Sequence, residues 1–178
     1  MWTGRAEMNV AAEIGRVAKL TGSFRLRSGA WSDTYFDKYQ FEAHPELLRA
    51  IAQLMAPLVP SSTQILAGLE MGGIPIATML SQVTGIPTAF IRKEAKTYGT
   101  CKYAEGPPLR GKDVVLVEDV VSTGGAIVDA LKQLRSDQVA TNLALCVIDR
   151  ETGGRELLAQ QGVRLGALFK MRDIEGVA

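Results

Sequence analysis

One stretch constrains what this chain can fold into more than any other. Val114-Val115-Leu116-Val117 is a continuous apolar run. It delivers two adjacent acids, Glu118 and Asp119, and then Val120-Val121-Ser122-Thr123-Gly124-Gly125-Ala126, a short polar loop leading into a helix. An uninterrupted apolar strand is a strand covered on both faces. Around it, apolar strands at 64–67, 87–91, 113–117, 139–148 and 163–169 alternate with helical patterns at 74–82, 125–134 and 156–160. That alternation predicts an α/β fold with a mostly parallel central sheet flanked by helices. Ligands in such sheets bind at the carboxyl ends of strands. The residues to inspect are those just after Ala67, Ile91, Val117 and Ile148.

The N-terminal part reads differently. Helical spacing covers 6–20 and is ended by Gly22. Phe24 and Leu26, then Tyr35 and Phe36, flank Ser28-Gly29 and predict two short strands around a turn. Pro45 suits the first turn of a helix whose apolar stripe is Leu47, Leu48, Ile51, Leu54, Met55 and Leu58. His44, the sole histidine, precedes that proline and carries no assigned chemistry, which weakens any triad built on histidine.

At the end of the 113–117 strand the residue types specify a chemistry. Ser122, Thr123, Gly124, Gly125 and Ala126 offer hydroxyls, free backbone N–H groups and a helix N-terminus, which together cradle a phosphate. Glu118 and Asp119 repel phosphate, but they can accept hydrogen bonds from sugar hydroxyls or hold a hydrated Mg²⁺. The segment therefore suits a sugar phosphate. As a mere helix cap it would need only one of these residues.

After Ile91, three cations crowd into five residues: Arg92, Lys93 and Lys96, followed by Tyr98 and Gly99. An arm of this kind can close over a highly charged anion such as pyrophosphate. Arg150, just after the long strand, presents a planar fork for a carboxylate or imide edge, or a partner for a nearby acid. Gly106-Pro107-Pro108-Leu109-Arg110-Gly111-Lys112-Asp113 imitates a nucleotide-binding P-loop. It ends in Asp, precedes a strand, and has two prolines where N–H donors would be needed, so it is a turn.

Composition bounds the rest. The chain of 178 residues fits a single domain, 1–178. It has 20 Lys+Arg against 19 Asp+Glu, which gives no support to nucleic-acid binding. The uncharged run 71–91 is long enough to span a bilayer, but glycines and prolines break it into loop, helix and strand, so no membrane segment is expected. Charged residues near the N-terminus leave no apolar signal core, and Cys101 and Cys146 stand far apart. These features suit a cytoplasmic protein with reduced thiols.

Val115-Leu116-Val117-Glu118-Asp119-Val120-Val121-Ser122-Thr123-Gly124-Gly125 resembles the phosphoribosyl-pyrophosphate (PRPP) binding motif of type I phosphoribosyltransferases. Arg92-Lys93-Glu94-Ala95-Lys96-Thr97-Tyr98-Gly99 is similar to the basic loop of the orotate phosphoribosyltransferases, with Tyr98 where many members have His. Phe24-Arg25-Leu26-Arg27-Ser28-Gly29 with Ser32-Asp33-Thr34-Tyr35-Phe36 resembles that family's N-terminal segment. Gly68-Leu69-Glu70-Met71-Gly72-Gly73 resembles its pyrophosphate loop, with Gly72 where some members have Lys. Asp149-Arg150-Glu151-Thr152-Gly153-Gly154 resembles its stretch after the long strand.

The resemblance implies a type I phosphoribosyltransferase fold with a small hood from about residues 1–40. It implies transfer of phosphoribosyl from PRPP to orotate, giving orotidine 5′-monophosphate and pyrophosphate in pyrimidine (UMP) synthesis. PRPP would be held by Arg92, Lys93, Lys96, Tyr98, Glu118, Asp119, Val120, Val121, Ser122, Thr123, Gly124, Gly125 and Ala126, with Lys96, Asp119 and Glu118 catalytic. Orotate would meet Arg27, Tyr35, Phe36, Ser122 and Arg150. The rings of Tyr35 and Phe36 suit covering a flat heterocycle, and suit a small hood core equally well. Mg²⁺ would be carried mainly by PRPP, pyrophosphate and water, without direct protein ligands. The working unit would be a homodimer sharing loop 93–106 across its interface. Two rivals share the PRPP motif: a transferase for another nucleobase, and a PRPP-sensing regulator. The latter would need a basic face that this charge balance does not offer.

Overall fold

A computed structural model of the chain describes residues 8–25, 29–94 and 102–176. Its centre is a sheet in the order β5-β4-β3-β6-β7-β8. The strands are β3 (Ile65–Leu69), β4 (Thr88–Ile91), β5 (Ala104–Glu105), β6 (Val114–Val121), β7 (Leu143–Asp149) and β8 (Arg164–Lys170). All neighbours pair in parallel except β4 with β5. The mostly parallel sheet read from the sequence is therefore present.

Strand alternation divides the interior into two cores. Val115 and Val117 of β6, with Leu143, Leu145 and Val147 of β7, face one side. There they meet α1 (Val10–Ala18), α3 (Pro45–Met55) and α4 (Gly73–Thr84) through Ile14, Ile51 and Leu80. Val114 and Leu116 of β6, with Ala144 and Cys146 of β7, face the other. They pack on α5 (Gly125–Ser136) and α6 (Gly154–Gln160) through Ile127, Leu131 and Leu158. This is the period-two pleat at work. Each fully buried Val or Leu contributes roughly 1.5–3 kcal/mol, and that apolar burial sustains two buried acids in the same strand.

The hood is an antiparallel pair, β1 (Lys19–Arg25) and β2 (Trp31–Phe36), in a sheet of its own. The remaining elements are short: α2 (Tyr39–Glu42), a single 3-10 turn at Ala56–Leu58, and α7 (Met171–Glu175).

Several expectations are corrected. The first helix stops at Ala18, and Gly22 lies inside β1, beside an irregularity between Thr21 and Phe24. Lys19 turns extended because the chain there pairs with Phe36. Leu54 and Leu58 are 46% and 38% exposed, so the stripe on α3 narrows to Leu47, Leu48, Ile51 and Met55. Strand β6 does not end before the acids. It runs on through Glu118 and Asp119 to Val121, because Val120 and Val121 still pair with Ile148 and Asp149 of β7. No described helix is long and apolar enough to cross a membrane.

Candidate active site

The site is built at the carboxyl end of β6. Ser122 and Thr123 follow the strand, and Gly124 adopts φ +79 ahead of α5. An L side chain is strained in that left-handed region, so glycine is the fitting residue. No side chain caps α5, and the first intrahelical bond recorded there is Val128 N–H to the Gly124 carbonyl. The N–H groups of Gly125, Ala126 and Ile127 are thus the ones a helix leaves without internal partners. With the Ser122 and Thr123 hydroxyls they form a bowl suited to an anion. Gly154 backs this loop closely: a Cβ there would collide with the Ser122 carbonyl oxygen.

Register brings Arg150 to the same place. Val121 pairs with Asp149, and Arg150 N–H donates to the Val121 carbonyl at 2.8 Å. Asp149 is 1% exposed and steadies the turn by accepting from Glu151 N–H and from Arg155, each at 2.9 Å. The nearby acid Asp149 is thus paired by Arg155, and the exposed side chain of Arg150 has no ion pair among the described residues. A cleft of about 540 Å³ joins Arg150, Val120 and Ser122 to Tyr35, Phe36 and Lys38 from the hood side. Tyr35 is 45% exposed, with its ring 5.5 Å from that of Phe24, whereas Phe36 is half-buried against the core.

The two acids behave differently. Asp119 is fully buried and Glu118 nearly so. Glu118 accepts from Asp119 N–H at 3.1 Å, and Asp119 Oδ1 accepts from Val120 N–H at 2.6 Å. Burial pushes the Glu118 carboxyl well above the usual carboxylate range, with the neighbouring Asp119 adding to the rise. Burial acts on Asp119 in the same direction, but hydrogen bonds with Glu118, Glu42 and Lys38 outweigh it and hold this carboxyl below its ordinary value.

Lys38 and Glu42 escaped the sequence reading. Lys38 Nζ lies 2.6 Å from Asp119 Oδ2. Glu42 is 94% buried on α2, and burial, reinforced by a hydrogen bond with Asp119, pushes its carboxyl up to about 9. The available clue was their four-residue spacing, which places two side chains on one side of a helical turn. Gly72 completes the cluster. A Cβ built there would collide with Asp119 Oδ2 and come within 2.9 Å of Glu42 Oε1, so the seat of a side chain at 72 is filled from elsewhere.

Arg92 and Lys93 stand two strands away, at the end of β4. The Arg92 guanidinium lies 3.9 Å from Glu105, and Lys93 N–H donates to Glu70 at 2.9 Å. The structure therefore does not bring these two cations into the cleft with Arg150. Arg27, Lys96 and Tyr98 lie outside the described residues.

A phosphoribosyl transferase domain model matches residues 38–160 of the chain. An orotate phosphoribosyltransferase from Nocardioides sp. is 46% identical over 169 residues, covering 95% of this chain and 94% of that protein. The crystal structure of orotate phosphoribosyltransferase from Mycobacterium tuberculosis H37Rv in complex with Fe(III) dicitrate superposes with a TM-score of 0.85 at 27% identity, covering 93% and 96% of the two chains. That of orotate phosphoribosyltransferase from Aeropyrum pernix gives 0.80 at 32% identity, covering 95% and 97%.

Proposed function

This chain belongs to the orotate phosphoribosyltransferases, and we propose that the β6 edge, the hood-side cleft and Arg150 divide its two substrates between them. The reaction joins orotate to PRPP, giving orotidine 5′-monophosphate and pyrophosphate in pyrimidine nucleotide synthesis. At the anomeric carbon of the ribose, the bond to pyrophosphate breaks and a bond to a ring nitrogen of orotate forms. Positive charge develops on the sugar and negative charge on the leaving pyrophosphate, so catalysis depends on positioning and electrostatics rather than on a covalent nucleophile.

The observation that carries the assignment of parts is the junction of an uncapped α5 N-terminus with two buried acids on one strand. Ser122, Thr123, Gly124, Gly125 and Ala126 would hold the 5′-phosphate, with Val120 and Val121 as the strand that presents them. Asp119 and Glu118 would take the ribose hydroxyls. Arg150 would meet the carboxylate of orotate, with Tyr35 and Phe36 beside the pyrimidine ring. Arg92, Lys93 and Lys96 would draw pyrophosphate, with Tyr98 donating a hydrogen bond.

Mg²⁺ in this reading arrives with PRPP, where it neutralises charge on the phosphate oxygens. The donor set favours that view over direct coordination by the acids. Asp119 Oδ2 is paired with a lysine, and Glu42 and Glu118 are both shifted towards their neutral forms. The buried free thiol of Cys146 accords with a cytoplasmic enzyme.

We read the working unit as a dimer in which Lys96 of one subunit reaches pyrophosphate in the other. Consumption of orotate, followed by its ultraviolet absorbance in the presence of PRPP and Mg²⁺, tests the function. Turnover is expected with orotate and not with uracil, adenine or hypoxanthine, and turnover only with one of those bases would contradict the reading. The same assay on mixed Lys96→Ala and Asp119→Asn proteins tests the sharing. Activity should reappear after subunit exchange, and mixtures as dead as their parents would rule it out.

A further inference from the structure

Asp119 poses a physical problem. It is a carboxylate with no exposure, and its Oδ1 is already engaged by Val120 N–H. A charge so placed is costly unless it is paired and hydrogen-bonded. Two residues solve the problem from outside the strand. Lys38, at the N-terminal end of α2, sets Nζ 2.6 Å from Oδ2. Glu42, one turn further on, is itself buried, and its Oε1 finds no N–H or O–H donor. A proton held on Glu42 lets it donate to Asp119, which relieves two buried acceptors at once.

The arrangement has a consequence for access. With Gly72 behind and Val120 N–H on Oδ1, the cleft-facing position at Asp119 Oδ2 that would receive a ribose hydroxyl is the one Lys38 occupies. Lys38 and Val120 both line the cleft, but Val120 is held there as backbone of β6, whereas the Lys38 side chain can move and keeps 34% of its exposure. Glu42 is closed off from solvent.

We propose that Lys38 is a positioning residue and an exchangeable cover for Asp119, with Glu42 as the fixed hydrogen-bonding wall behind it. In the empty site Lys38 keeps Asp119 ionised and correctly turned. When PRPP enters, Lys38 yields the Oδ2 position to a ribose hydroxyl and swings its ammonium towards the anionic oxygens of the substrate in the cleft. This rests on the assignment of Asp119 to the ribose.

Calorimetric titration of PRPP with Mg²⁺ tests it, using Lys38→Met, Lys38→Arg, Asp119→Asn and Lys38→Met/Asp119→Asn. Lys38→Met should weaken PRPP binding about tenfold or more, as expected for partners in one charge network. The loss should shrink to about twofold when the comparison is made in the Asp119→Asn background. Lys38→Arg, which keeps the charge, should recover most of the affinity, and the KM for orotate should move little in Lys38→Met and Lys38→Arg. Glu42→Gln retains an N–H donor and should bind PRPP better than Glu42→Leu. Lys38→Met binding PRPP as well as the parent, or losing the same factor in both backgrounds, would overturn the proposal while leaving the functional reading intact. Failure of the unmodified protein to bind PRPP would instead remove the functional reading, and this proposal with it.

Discussion

The carboxyl edge of the central sheet and the hood are built on opposite principles. At the edge, Asp119, Gly124 and Val121 are buried; β7 pairs with the backbone as far as Val121, and β3 pairs with the strand leading into it as far as Val117. In the hood, two strands pair only with each other and are exposed or at most half-buried, with Trp31 70% exposed. A region with few buried contacts opens at low free-energy cost, whereas a buried parallel core does not. The contrast assigns labour. In the proposed reading, the edge is preorganised for the sugar phosphate and the hood is the movable cover for the base. Lys38 and Glu42 sit on the short α2 between the two, and are the chain's link from cover to anchor.

Changes at the edge should therefore be the most damaging. Glu118→Gln combined with Asp119→Asn preserves volume and removes both acids, and kcat/KM for PRPP should fall by about 10²–10³-fold, the scale of losing a preorganised electrostatic contact. The variant should still melt cooperatively. Near-normal kcat/KM would break the comparison at its stronger side.

Arg150→Lys probes the seam between edge and cover. It keeps the charge and loses the planar fork, so the KM for orotate should rise about tenfold while that for PRPP changes much less. Equal effects on both substrates would make Arg150 a structural residue of the β7 turn.

The smallest effect concerns pH. Glu42 titrates at about 9 in the folded chain and returns to about 4.3 when unfolded. Between those values the folded state binds a proton that the unfolded chain has released. Its stabilising contribution is complete below about pH 4.3 and declines as pH rises, until it is lost above about 9. Glu42→Gln does not titrate. Relative to the parent, its Tm should improve progressively as pH rises from 6 to 9, each 1 kcal/mol moving Tm by roughly 2–4 °C in a chain of this size. A Tm difference that stays flat over that range would place the proton elsewhere.

The same contrast explains what the sequence revealed. Strands covered on both faces must be apolar along their whole length, so β3, β6 and β7 stood out, and Glu118 and Asp119 were conspicuous as acids inside such a run. Glycines at the phosphate loop were equally legible, because close backbone approach excludes side chains. The end of β6 was misjudged because two buried acids look like a strand terminus, although Val120 and Val121 continue the pairing. Hood strands with mostly exposed positions lack a clear period, which displaced the boundary at Gly22. Helices of four or five residues, such as α2 and α7, are too short to show periodicity. Lys38 and Glu42 were invisible for a further reason: their meaning comes from Asp119, which only the fold brings beside them.

Calorimetric titration of PRPP with Mg²⁺ into Asp119→Asn and Tyr35→Ala tests the division of labour most directly. The account predicts that Asp119→Asn loses at least about tenfold in affinity for PRPP, a charge-assisted contact being worth roughly 1.5–3 kcal/mol. Tyr35→Ala, altered only in the cover, should stay within about twofold of the unmodified protein, as expected for a ring that remains 45% exposed. A Tyr35→Ala protein that loses PRPP as severely as Asp119→Asn would contradict the separation of anchor from cover.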